Sequence, residues 1–101
     1  MIASKMVALV ERGAPRDFRD IYATCRAGLT TPSQCWALWR QRQMLSGSDT
    51  DATRARLALQ IHLERIALLR PLTQIANLPD RSDAEQLRHW FAEEFVDDVG
   101  D

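Results

Sequence analysis

Residues 5–22, KMVALVERGAPRDFRDIY, decide the fold, because two amphipathic helical stripes and the break between them fall within one short stretch. Met6, Leu9 and Val10 stand at i, i+3 and i+4, which predicts a first helix with one apolar face. Gly13-Ala14-Pro15 stops that helix, and Pro15 begins a second, since proline suits a first helical turn. On the second helix Phe18, Ile21, Tyr22, Cys25 and Leu29 repeat at i, i+3, i+4, i+7 and i+11, a stripe that must face a core.

Seven charges are set against these stripes. At about 100° per residue, Lys5 and Arg12 share one flank of the first helix with the small Ala8 between them. Asp17 flanks the second stripe. Arg16 and Asp20 lie one turn apart on the outer face, where they are expected to pair with each other for a few tenths of a kcal/mol. Periodicity alone describes nothing more than a solvated charged face.

The run Lys5, Ala8, Arg12, Arg16, Asp17 and Asp20, with apolar residues at 6, 9, 10, 18 and 21, resembles the third motif of the AbiEii/AbiGii abortive-infection nucleotidyltransferase family. The likeness is confined to about the first 30 residues. Members of that family are toxins of toxin–antitoxin or phage-defence systems, with an N-terminal nucleotidyltransferase core and a C-terminal helical region that this motif joins. The resemblance implies Asp17 as the catalytic carboxylate and Lys5, with Arg12 and Arg16, on nucleotide phosphate. It also implies that Asp20, together with the two arginines, positions the helix pair. Cations suit phosphoryl transfer because the transferring group carries charge that shifts in the transition state.

A nucleotidyltransferase core also requires a Gly-Ser turn and, about ten residues on, two carboxylates on a strand to hold Mg²⁺. Only four residues precede Lys5 here. The expectation is therefore the helical C-terminal part of such a protein, whether a truncated reading frame, an excised piece or half of a split enzyme. It would form one wall of a nucleotide site without catalysing alone. No cofactor or metal is expected on this chain by itself, although the family implies Mg-NTP for a complete member. The implied partners are the missing core or an antitoxin, with tRNA or another RNA as acceptor.

Outward from the motif the chain reads as helices. Over 1–29 runs the motif pair, closed by Gly28, and Thr31-Pro32 opens a helix over 32–43 in cap-then-proline order. Cys35, Leu38 and Trp39 form its core face with Trp36 at the flank, and Arg40 to Gln43 make a polar tail. Residues 46–51, SGSDTD, place Gly-Ser beside Asp-x-Asp, but without a strand this is no metal site, and Asp49 or Ser48 reads as an N-cap. The helix over 51–69 is the longest, apolar both along Ala52, Ala55, Leu59, Leu63 and Ile66 and along Leu57, Ile61 and Leu68, and is expected to be central. Pro71 ends it, a short apolar connector follows, and a Ser82–Glu85 capping box predicts a last helix over 83–97 with a stripe of Ala84, Leu87, Phe91 and Phe95. Asp97, Asp98 and Asp101 set acid against the dipole of its C-terminus, which predicts fraying. With no alternating strand pattern, repeat or long linker, 1–101 predicts one all-α domain, a compact bundle of about five helices.

Composition bounds the rest. The chain has 101 residues, 46% hydrophobic, enough for one modest core, and a formal charge of −1. Residues 1–50 carry 7 basic and 4 acidic groups and residues 51–101 carry 6 and 10, giving a front of +3 and a back of −4. Cys25 and Cys35 show no metal spacing and no disulfide framework, so they read as reduced thiols of a cytoplasmic protein. No apolar run reaches membrane length and no leader pattern opens the chain.

Two further readings belong beside the first. The second apolar face of the 51–69 helix suits a stand-alone interaction module, docking a toxin–antitoxin partner or a second copy of the chain. Arg56 and His62, separated by five residues, also resemble the Arg-x(4–6)-His spacing of the HEPN ribonucleases, which would imply metal-free RNA cleavage by a dimer. A histidine bordering an apolar stripe is otherwise a satisfied core residue.

Overall fold

A computed structural model of the chain describes residues 2–96. Over that span the chain is all-α: α1 (Ile2–Glu11), α2 (Pro15–Arg26), α3 (Pro32–Ser46), α4 (Ala52–Leu69) and α5 (Leu78–Trp90). A 3₁₀ turn at Leu72–Gln74 fills the connector before α5, and a π turn at Phe91–Phe95 continues α5. No strand occurs among the described residues. Asp97, Asp98 and Asp101 lie outside them.

The central element is α1, not the long α4. Met6 and Leu9 are fully buried, and Ile2, Val7 and Val10 pack against the same core, so α1 is apolar on several sides. That lets α2, α3 and α4 all pack on it. On α4 the stripe of Ala55, Leu59 and His62 is buried, while the second stripe stays in solvent, with Leu57 52%, Ile61 59% and Leu68 81% exposed.

Local signals account for most helix ends. The break before α2 is as expected, with Pro15 in the first turn. Leu29 is 79% exposed, because α2 ends at Arg26 and its periodicity runs past the end of the helix. Thr31 Oγ1 accepts the Gln34 amide at 3.2 Å and opens α3. Instead of stopping at residue 43, α3 continues to Ser46, where Gly47 (φ 70°) takes the left-handed conformation and the Ser48 amide closes on the Gln43 carbonyl at 2.8 Å. The cap of α4 is Asp51, whose Oδ1 accepts the Thr53 and Arg54 amides at 2.9 and 3.3 Å, not Ser48 or Asp49. Asp49 braces that cap, accepting the Asp51 amide at 2.8 Å. The last helix begins at Leu78, five residues before the expected start at 83. Asn77 Oδ1 accepts the Asp80 amide at 3.2 Å, and Pro79 sits in the first turn, where its missing N–H leaves no hydrogen bond broken.

The core gathers where the π turn meets α2 and α3. Phe18 and Phe91 stand edge to face at 4.9 Å, Phe91 and Phe95 lie 4.9 Å apart, and Trp36 lies 5.3 Å from Phe95. Trp36 is 4% exposed and Leu38 is 37% exposed, which reverses the expected order on α3. The indole reason is specific: Trp36 Nε1 donates to the Phe95 carbonyl at 3.0 Å, so its polar atom is satisfied inside. Each such ring contributes about 1.5–3 kcal/mol through burial.

Candidate functional site

The motif residues divide into three states. Lys5 on α1 and Asp20 on α2 form an ion pair that ties the two helices, with both side chains half-buried. The expected Arg16–Asp20 pair is not formed, because Asp20 turns toward α1. The hydrogen bond from Lys5 holds the Asp20 carboxyl below its ordinary range; partial burial opposes this, and the charges of Lys5, Arg16 and Arg19 reinforce it.

One turn earlier on the same side of α2, Asp17 is buried at 7% exposure, and its Oδ2 has no hydrogen-bond partner among the described residues. The periodicity placed Asp17 on an open flank. The fold buries it instead. An unsatisfied buried oxygen costs about 1–3 kcal/mol, which the positive end of the α2 dipole partly offsets, since Asp17 stands in the first turn. Arg12 and Arg16 are both exposed. Arg12 holds the structure through its backbone, its carbonyl accepting Arg65 Nη2 at 2.8 Å. Lys5 and Asp20 thus meet between α1 and α2 with Asp17 buried one turn earlier on α2, while the two arginine side chains remain at the surface.

His62 lies inside the fold, 8% exposed. Its Nε2 is 2.9 Å from the Val10 carbonyl, and its Nδ1 is 3.1 Å from Arg65 Nη2. A carbonyl only accepts and a guanidinium only donates, so Nε2 carries the proton and Nδ1 the lone pair. Both nitrogens are occupied by protein groups, the arrangement of a structural histidine. Sequence pattern shows the histidine but not its partners, which come from α1 and from the next turn of α4.

Cys25 on α2 and Cys35 on α3 are free thiols with their sulfurs 4.0 Å apart. Burial first, and then its neighbour Cys35, pushes the Cys25 thiol up to about 12. Burial likewise raises Cys35. Both are poor nucleophiles in this state.

No group of three His, Cys, Asp or Glu side chains stands close enough to hold a metal among the described residues. Of the two motif carboxylates, Asp20 is engaged by Lys5 and Asp17 is buried. A groove of about 910 Å³ lies on the other flank of α2, and its lining includes none of Lys5, Arg12, Arg16, Asp17 and Asp20. No described helix is long and apolar enough to cross a membrane. Compared with family models, with curated proteins and with solved structures, the chain matches none.

Proposed function

We propose that the chain is a helical subdomain of a nucleotidyltransferase-like toxin of the AbiEii/AbiGii kind, supplying one wall of a nucleotide site and inactive without a catalytic core. The observation that carries this reading is the convergence at the α1–α2 junction: Lys5 and Asp20, 15 residues apart, meet, and Asp17 lies buried one turn away with an unpartnered oxygen. A structural ion pair explains Lys5 and Asp20. It does not explain a buried carboxylate with an orphan atom, which is a group kept for a partner that the helices alone do not provide. In this role Lys5 exchanges Asp20 for a nucleotide phosphate, a point charge on a flexible stem suited to that transfer. Asp17 supplies the acidic group, and Arg12 and Arg16 stay available at the surface for phosphate of the nucleotide or of an RNA acceptor such as tRNA.

The test is an NMR amide titration of the chain with each of the four nucleoside triphosphates and Mg²⁺. Saturable shifts confined to residues 5–20, lost in Lys5→Ala, support the reading. Absence of shifts up to roughly millimolar nucleotide, where typical substrate affinities would be exceeded, refutes it.

A second reading is carried by a different observation. Leu57, Ile61 and Leu68 form an exposed stripe on α4, as expected of an interaction module that docks another chain, an antitoxin or a second copy. Sedimentation equilibrium separates the two. Self-association that disappears in Ile61→Glu, with no nucleotide-dependent shifts, would select this reading over the first.

A further inference from the structure

The groove of about 910 Å³ between α2, the end of α4 and α5 is separate from the motif and its charge pattern is unusual. Its floor is apolar, with Phe18, Tyr22, Leu63, Ile66 and Leu87, and its walls carry Arg19, Arg26, Arg70 and Arg88. Asp80 and Asp83 stand at the α5 lip, leaving the groove two positive charges in excess. None of the four arginines is in an ion pair among the described residues. Two are already held in place: Arg26 lies over the Tyr22 ring at 5.8 Å, and Arg88 Nη2 donates to the Arg70 carbonyl at 2.8 Å. Burial, and then the charge of Arg70, depresses the Arg88 guanidinium, a strain that an incoming anion relieves.

We propose that this groove docks an acidic amphipathic helix of a partner protein, apolar face down and carboxylates along both edges. The spacing of the cations favours an elongated occupant. Arg19, Tyr22, Ala23 and Arg26 form one stripe at i, i+3, i+4 and i+7 along α2, so the two arginine backbones stand about 10 Å apart along the helix. Arg70 and Arg88 belong to other elements at the far wall. A compact anion reaches one of these pairs, whereas a helix with acidic residues flanking an apolar stripe meets both while covering the floor. Arginine suits the task because its fork binds a carboxylate in two parallel hydrogen bonds.

The experiment uses displayed 18-residue helical peptides with leucine at i, i+3, i+4 and i+7 and flanking positions randomised among Glu, Gln and Lys. Selection on the 101-residue chain is expected to enrich Glu at the flanks. The exposed Arg19→Glu/Arg26→Glu pair is expected to weaken the winning peptide at least tenfold and to move a fresh selection toward Lys, with the far-ultraviolet circular dichroism unchanged. No enrichment, Gln or Lys at the flanks, or indifference to the charge reversal overturns the proposal. So does displacement of the winning peptide by a nucleoside triphosphate or a short single-stranded RNA at the peptide's own concentration, which would assign the groove to nucleotide. A groove that docks the peptide in a chain giving no nucleotide shifts at residues 5–20 separates this proposal from the reading of the motif.

Discussion

Gly13 and His62 meet so closely that a Cβ on residue 13 would fall 2.2 Å from Cγ of the imidazole. The glycine also holds φ at +59°, a conformation that costs other residues about 1–2 kcal/mol. Two separate constraints therefore select glycine at the break of the motif. One is set by the backbone of the turn and one by a side chain from α4, 49 residues along the chain.

Gly13→Ala is expected to destabilise the fold by about 2–5 kcal/mol, the sum of the left-handed penalty and of overpacking. His62→Ala alone leaves the Val10 carbonyl without its donor and is expected to cost about 1–3 kcal/mol. In urea melts the double variant should be more stable than the two single effects predict, because the clash is gone. Strict additivity would contradict the contact.

Phe18→Ala should cost about 3–5 kcal/mol as a core deletion. Lys5→Ala should cost much less, since its side chain is half-buried and its pair faces solvent. Equal loss of denaturation midpoint in both would mean that the motif lysine is structural.

The Lys5–Asp20 pair has a defined pH window. The folded Asp20 carboxyl lies below its ordinary range, so its contribution is fully present above the unfolded value near 4 and is lost as pH falls through the folded value. The thermal midpoint of Asp20→Asn should lie below that of the parent chain at pH 7. The difference should close as the pH falls below the ordinary carboxylate range. A gap that persists there would exclude the carboxylate as its source.

Alkylation of the thiols should report the core. With Cys25 pushed up to about 12, the folded chain should react with iodoacetamide at pH 8 at least a hundredfold more slowly than the urea-unfolded chain. Equal rates would show that the α2–α3 contact opens readily.

What could be read from the chain itself was what neighbours in sequence decide. Pro15, the Thr31-Pro32 pair and Gly28 each punctuate a helix through their own backbone chemistry, and each stands where its pattern placed it. The Ser82–Glu85 pattern misled because those residues lie inside α5, whose start is set by the Asn77 cap with Pro79 at home in the first turn. The choice of Trp36 over Leu38 hung on a carbonyl 59 residues away. The site followed the same rule. The motif's spacing singled out Lys5, Asp17 and Asp20, but not that Asp20 would take Lys5 over Arg16 or that Asp17 would be buried. Those outcomes belong to the packing of one helix on another. His62 was visible as a residue and invisible as a strut, since the Val10 carbonyl it holds belongs to another helix 52 residues away.

The wide turn at Phe91–Phe95 gives the chain tolerance to a change of length. There the Val96 amide reaches back five residues to the Phe91 carbonyl at 3.0 Å, where an α-helix would reach four. One residue more than a regular turn requires has been accommodated, and Ala92, Glu93 and Glu94 carry the surplus at the surface. Elsewhere in a helix, removing a residue rotates everything beyond it by about 100° and turns a buried face outward. Here the same deletion leaves Phe91 and Phe95 at i and i+3, still on one side, and restores an ordinary α turn. A homologue one residue shorter at this point would keep the aromatic core.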